Sequence, residues 1–550
     1  MRELHKRFLK MHGKPYGVYK SLQGQFFSFG DFTLKFTHIQ GDPHAQPSRI
    51  MLSAKMNSLG FPEELFQTKE KEIALADFLF RQFTGDAENI KIAKSHSQIM
   101  QRNSLYIENG IVRVLASVNM PGDGRRIDGE KASELLIGTL SDWITAAMYW
   151  NNLNKETCKA HIEYLISRNF LLSQLAEKKL AAFVPNNAIL PRESGVSEAP
   201  MQNAVPFVSP PELLVKLNLP CGKQIEGMGI PQGITVIAGG GFHGKSTLLR
   251  ALEEAVYPHV PGDGRELIVI DESATPVKTE EGRIVSGTDI SSLAHELPLK
   301  GNTKSFCTKN ASGATSQAAN LLEALELGAS TILIDEDASA VNFLIRDERM
   351  RKLIDSKHEP LIPLTDRIRE FSSNGINFII VAGACGDYLS LADTVIAFTE
   401  YKAKCLTEKA KNIAAFLPKQ SLPQLSLQCS RSVNMEIFQE GLKPNSIVEK
   451  TVKIKAVAEQ ISIGKLKADL RKFPTFCHQE LQRGIAEILY NFIKENPGGN
   501  LTEALRAIGK KLPENETCDL ALPRVMELGA AFLRINGNKP SDELSPSKFL

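Results

Sequence analysis

No stretch of about 18 consecutive apolar residues occurs in these 550 residues, so nothing in the chain reads as a bilayer-spanning helix. The N-terminus carries lysines and arginines but lacks the apolar core of a signal peptide. Cysteine is sparse: eight residues, at 158, 221, 307, 385, 405, 429, 477 and 518, form no C-x-x-C and no Cys/His group with zinc spacing. That excludes a disulfide framework and a structural zinc module, and fits reduced thiols in a cytoplasmic compartment. An excess of one charge is also missing. Sixty-five Lys and Arg against 63 Asp and Glu leave a net +2, which argues neither for nor against a polyanionic partner. Aromatics are 7 %, and none stands out as a platform for a nucleobase. What remains is an ordinary composition, 42 % hydrophobic and 23 % charged. The chain is too long for one core.

Residues 1–12 read as a basic amphipathic helix, followed by two short strands around a turn at 26–37 and a third at 49–55. Helices are expected at about 69–83, 130–152 and 155–182, with a strand over 105–118, giving an α+β N-terminal domain over 1–185. Pro-Gly-Asp-Gly-Arg occurs at 121–125 and again at 261–265, and turn chemistry accounts for both. Residues 186–211, with prolines at 185, 191, 200, 206, 210 and 211 in and beside them, read as a connector. From 212 to 425, apolar runs at 234–238, 267–271, 331–335, 376–382 and 394–398 alternate with helices, the signature of a mostly parallel α/β sheet. Residues 426–550 read as a mainly helical, basic C-terminal domain, with helices at 476–495, 501–511 and 521–534 and a loose tail. Between 400 and 472, fourteen Lys/Arg stand against seven Asp/Glu, a local +7 that suits a nucleic-acid surface or a solvated basic face.

The chemistry concentrates in Gly239-Gly240-Gly241-Phe242-His243-Gly244-Lys245-Ser246-Thr247, set between a β-branched strand and an amphipathic helix. This is the phosphate loop G-x-x-x-x-G-K-S, the Walker A motif. Glycines let the backbone wrap a phosphate, and successive N–H groups with the helix N-terminus bind its charge. Lys245 reaches the β- and γ-phosphates, and the Ser246 hydroxyl is a magnesium ligand. His243 reads as a loop side chain beside the phosphates rather than a catalyst. A second apolar strand ends in Asp335-Glu336, the Walker B pattern. Asp335 is placed to hold Mg2+, and Glu336 to orient or deprotonate the attacking water.

Upstream, Ala311-Ser312-Gly313-Ala314 opens a helix that is closed by Gly328. It resembles the L-S-G-G-Q signature of ABC ATPases. There the signature serine precedes the Walker B aspartate by 23 residues, and 335 − 312 is also 23. Ser339-Ala340-Val341-Asn342 falls where those proteins carry the D-loop. More widely, Pro15–Tyr19, Gln40–Pro43, Ile189–Arg192, Asn342–Asp347 and Gly386-Asp387-Tyr388 resemble a group of soluble ATPases of the ABC class. The resemblance implies a P-loop core flanked by the N- and C-terminal domains. It also implies ATP with Mg2+, and a homodimer in which Ser312 and Gly313 of one copy meet the γ-phosphate held by the other. A branch of that group is tied to RNA handling, which makes RNA an expected partner. Two features depart from it. The switch-histidine position falls near Ala384, where there is no histidine, and no glutamine lies between Gln232 and Gln317 for the Q-loop. Both departures point to slow turnover. A non-catalytic nucleotide sensor or scaffold, and a small-molecule kinase, stand as alternatives.

Overall fold

The computed structural model describes the chain except residues 84–88, 296–301, 355–357, 415–424, 426, 428–430, 434, 443–451, 458, 472–477, 514–518 and 537–550. The expected tail and part of the basic stretch therefore lie outside the described residues.

Two compact units emerge, one of Met1–Ser167, Pro258–Pro261 and Leu512–Leu522, the other of Arg168–Tyr257, Gly262–Lys511 and Pro523–Leu550. In the first unit an antiparallel sheet runs in the order Phe26–Phe29, Phe32–His38, Ser48–Lys55, Ile111–Val118, Ile90–Lys91, with Leu105–Glu108 also on Ile111–Val118. Ser48–Lys55 buries every second side chain, as period-two patterning requires of a sheet with one covered face. The expected single strand at 105–118 is a hairpin, because Asn109 and Gly110 both take positive φ, 52° and 70°, and reverse the chain. The helix Lys155–Glu177 ends earlier than expected: Lys179 at φ 54° breaks it, and Leu180–Pro185 becomes a fully buried strand.

In the second unit the central sheet has the order Thr275–Pro276, Thr331–Asp335, Asn377–Ala382, Ile234–Ala238, Thr394–Thr399, Lys402–Cys405. All neighbours are parallel except the last pair. Asn377–Ala382 is buried along its length, as expected of a parallel strand covered on both faces. The run at 267–271 does not join this sheet. Val269–Ile270 pairs antiparallel with Leu180–Pro185 in a separate four-stranded sheet.

The compact units depart from the boundaries at 185, 211 and 425. Leu180–Pro185 pairs with Gln224–Pro231, which draws it into the second unit. The Pro-rich connector is anchored as well: both Arg192 guanidinium nitrogens donate to Asp263 at 2.7 Å, inside the second Pro-Gly-Asp-Gly-Arg turn. Gly264 there has φ 81°, and a Cβ would lie 2.7 Å from that of Ile189, so the repeat is structural. Beyond 425 the helices Gln479–Glu495, Leu501–Ile508 and Val525–Phe532 appear as expected, joined by a three-stranded antiparallel sheet, Ile454–Val457, Gln460–Ile463 and Leu466–Asp469, that helical patterning did not announce.

Of three buried Arg–Glu pairs, Arg283–Glu323 ties the segment before the helix Gly313–Glu326 to that helix, while Arg431–Glu326 and Arg534–Glu280 bind the later chain to the two of them. Asn320 bonds both Arg283 and Arg534 and donates to Glu280. Among the described residues no helix is long and apolar enough to cross a membrane. The five described cysteines, 158, 221, 307, 385 and 405, are free thiols.

Candidate functional site

Parallel strands expose their carboxyl ends along one edge of a sheet, and loops there gather from several strands. The loop Gly239–Gly244 leaves the end of Ile234–Ala238 and enters the helix Lys245–Glu254. Gly239 has φ 140°, and a Cβ would approach the Phe398 carbonyl oxygen to 2.6 Å, so only glycine fits. Gly244 caps the helix at φ 101°. Gly240 and Gly241 are exposed, Thr247 half-buried. The loop backbone therefore offers its N–H groups to solvent on a glycine cradle, which fits a phosphate.

Lys245 is 8 % exposed, and its Nζ donates to the Gly240 carbonyl at 2.7 Å, closing the loop on itself. His243 is a clamp: its Nδ1 accepts the Glu400 backbone N–H at 3.0 Å. That fastens the loop to the hairpin turn between Thr394–Thr399 and Lys402–Cys405, whose two turn residues, Glu400 and Tyr401, take φ 51° and 63°.

Ser246 is exposed on the first helical turn, and Asp335 ends the strand next but one to that of the phosphate loop. A hydroxyl and a carboxylate on these two elements are the oxygen donors that suit Mg2+. Burial raises the Asp335 carboxyl above its usual range, while the Asp337 N–H, the Lys278 ammonium and the Ser246 hydroxyl pull it down. Glu336 does not reach into open solvent. Its Oε2 accepts the N–H groups of Gly383 and Ala384 at 2.6 and 3.1 Å. Backbone amides thus hold the carboxylate at the position that the family resemblance gives to a switch histidine, and no imidazole stands there. Asp387, further along that segment, precedes the short helix Tyr388–Leu391 without a side-chain capping bond.

Ser312 is exposed and caps the helix Gly313–Glu326, accepting the Thr315 N–H at 3.3 Å. Gly313 is required by contact, since a Cβ would lie 2.8 Å from the Thr279 hydroxyl oxygen. None of the hydrogen bonds of these two residues reaches 239–247 in the same chain. Gln317, fully buried, ties this helix to the D-loop through the Ser339 hydroxyl at 2.8 Å and the Ala340 N–H at 2.9 Å. The sequence reading missed Gln317, Lys278 and the Gly383–Ala384 amides. Lys278 follows an apolar run too short to read as a strand, and backbone amides have no residue signal at all.

Two family models match: a P-loop domain of ABC ATPases over residues 154–433, and the N-terminal domain of ATPases of the ABC class over 1–151. A curated relative from Methanocaldococcus jannaschii, described as an uncharacterised protein, is 32 % identical over 273 residues, 46 % of this chain and 60 % of the relative. The chain thus spans about 60 % of that relative's length. Among solved structures, an ATP-binding cassette of an ABC transporter in its ADP conformation overlaps 36 % of this chain and 91 % of its own, at 11 % identity and TM-score 0.24. A Clostridium perfringens subunit of an ABC transporter complex overlaps 35 % and 86 %, at 15 % identity and TM-score 0.23. The P-loop, the Asp335-Glu336 strand end and the two family models agree, and the chain belongs to the ABC-class ATPases.

Proposed function

We propose that this chain binds ATP with Mg2+ and hydrolyses it slowly between two copies of itself, using the cycle as a switch on a macromolecular partner. The observation that carries this reading is the glycine cradle of the phosphate loop, with Gly239 at φ 140° and Lys245 Nζ on the Gly240 carbonyl at 2.7 Å, in the same parallel sheet as the Asp335-Glu336 strand end. When bound, Mg2+ would neutralise charge on the β- and γ-phosphates. The loop amides of 239–244 and Lys245 position the phosphates, with Thr247 beside them, and Glu336 orients the attacking water. Slow turnover follows from the place of Glu336. Its Oε2 is held by two backbone amides, and no histidine assists.

Ser312 and Gly313 present an exposed helix N-terminus whose bonds stay clear of their own chain's P-loop, which supports completion of the site by a second copy. Glu336→Gln in the purified full chain is expected to retain ATP and to shift from monomer to dimer mass in light scattering with ATP and Mg2+, and not with ADP. A variant that stays monomeric with ATP would count against the composite site. Wild-type protein that dimerises without releasing phosphate would instead favour the sensor reading. The free cysteines suit a reducing, cytoplasmic compartment.

For the partner, RNA is favoured by the small sheet at 454–469. Lys455 pairs with Ser462, and Ser462 with Lys467, so two exposed ammonium groups flank a hydroxyl on one face. Replacing Lys455 and Lys467 by Glu together is expected to weaken binding of single-stranded RNA about tenfold in fluorescence anisotropy, more at low salt. Unchanged affinity removes this face from the interface.

A further inference from the structure

Two aromatic residues among those described take positive φ, Phe242 and Tyr401, both at 63°, and both belong to the phosphate loop or to the turn fastened to it. A bulky side chain is an outlier in that backbone region, which glycine and asparagine occupy at less cost. Tyr401 closes the hairpin turn between Thr394–Thr399 and Lys402–Cys405, with Glu400 in the left-handed position before it. Two-residue turns of this hand favour Asn-Gly, not Glu-Tyr. The turn is pinned to the loop, because the Glu400 N–H donates to His243 Nδ1 at 3.0 Å. Gly244 marks a second contact: a Cβ there would lie 3.4 Å from Tyr401 Cδ1 and 3.6 Å from Phe398 Cδ1. The Tyr401 ring therefore rests against the residue that opens the helix Lys245–Glu254. It is nevertheless 58 % exposed.

The chain leading into the loop supplies no ring of its own. No Phe, Tyr or Trp lies between Phe207, which is buried, and Phe242. Phe242 is 99 % exposed and meets little of the protein, whereas the ring of Tyr401 is seated on the loop. A nucleotide asks for two kinds of contact. Its phosphates suit the amides of 239–244, and its flat, uncharged base gains most by stacking on an aromatic face. One sugar ties the base to the phosphates, so a platform for it must stand at the rim of the phosphate cradle. A solvent-facing ring, seated at that rim and kept there in a costly backbone conformation, meets the requirement. We propose that Tyr401 is the nucleobase platform of this site, its ring stacking on the base of a nucleotide whose phosphates lie in the loop. The proposal rests on the ATP reading above, and adds the contact that separates a nucleotide from bare polyphosphate.

Calorimetric titration of ADP and of inorganic pyrophosphate, each with Mg2+, into the full chain tests it. Tyr401→Gly is expected to weaken ADP about tenfold, the scale of one base on one ring, and to leave pyrophosphate within about twofold of wild type. Tyr401→Phe and Tyr401→Trp keep a ring and are expected to hold ADP within about threefold. Fluorescence of the indole in Tyr401→Trp is expected to fall with ADP and not with pyrophosphate. Glycine suits the positive φ, so the thermal midpoint of Tyr401→Gly is expected to match or exceed that of wild type, which keeps lost affinity apart from lost folding. Tyr401→Asn, which also tolerates this conformation, carries the same expectation if the glycine variant does not fold. Equal losses for the two probes, as a role confined to shaping the loop would produce, overturn the proposal. So does unchanged ADP affinity, or a wild-type chain that holds pyrophosphate as tightly as ADP. A wild-type chain that binds neither probe would sink the ATP reading and this proposal with it, an outcome distinct from a selective loss of ADP.

Discussion

Lys245→Ala is expected to lower ATP affinity by a hundredfold or more and to bring phosphate release to background. Each charge-assisted hydrogen bond to a phosphate oxygen contributes about 1.5–3 kcal/mol, so losing contacts to both the β- and γ-phosphates costs roughly 3–6 kcal/mol. At 1.4 kcal/mol per factor of ten, the low end already gives about a hundredfold. The effect does not stop at the charge. Lys245 Nζ also donates to the Gly240 carbonyl, so truncation removes a bond that shapes the loop as well. Lys245→Met, which keeps the bulk but loses the charge and the donor to Gly240, separates lost packing from these two contributions. Calorimetric titration with ATP and a phosphate-release assay on pure protein are the checks. Affinity within fivefold of wild type would mean that the triphosphate is held elsewhere.

Glu326→Ala is expected to destabilise the second unit by about 3–5 kcal/mol, lowering its thermal midpoint by on the order of 10 °C. The Glu326 side chain is fully buried and that of Arg431 is 3 % exposed. The carboxylate accepts the Arg431 Nε at 2.8 Å and its Nη2 at 2.5 Å, and takes the Arg431 backbone N–H at 2.8 Å. Removing one partner leaves a desolvated guanidinium facing a cavity, which costs far more than the pair itself contributes. Glu326→Gln keeps the shape and part of the hydrogen bonding, so it is expected to lose less. Circular dichroism melts of the full chain distinguish the two. A loss below about 1 kcal/mol for the alanine variant would mean that Arg431 finds water or another acceptor. Because Glu326 ends the helix that Ser312 begins, the same variant is expected to weaken ATP-dependent dimerisation below the melting range.

The phosphate loop was legible because its determinants are local. Gly239 and Gly244 sit where φ is positive, the β-branched run ahead of them packs as a buried strand, and the helix behind supplies Lys245 and Ser246 at fixed offsets. The Asp335-Glu336 strand end and the Ser312 cap were legible for the same reason, each a short pattern at the end of one element. The glycine hairpin at 109–110 and the strand at 180–185 were misread where one or two positive-φ residues override a longer periodicity.

By itself, then, the sequence determined the local pieces of the site: which residues make the glycine loop, the Asp335-Glu336 strand end and a helix cap, since each follows from backbone conformation within a few consecutive residues. Tertiary structure alone decided what surrounds them. Strand register put Lys278 beside the end of the Asp335 strand, the packing of two loops laid the Gly383 and Ala384 amides on Glu336, and buried ion pairs drew Arg431 onto the helix Gly313–Glu326 and Arg534 onto Glu280 in the segment before it. These are pairings between residues distant in sequence, selected by the burial of whole faces and the neutralisation of desolvated charge, and no local pattern encodes which partner such a residue will meet.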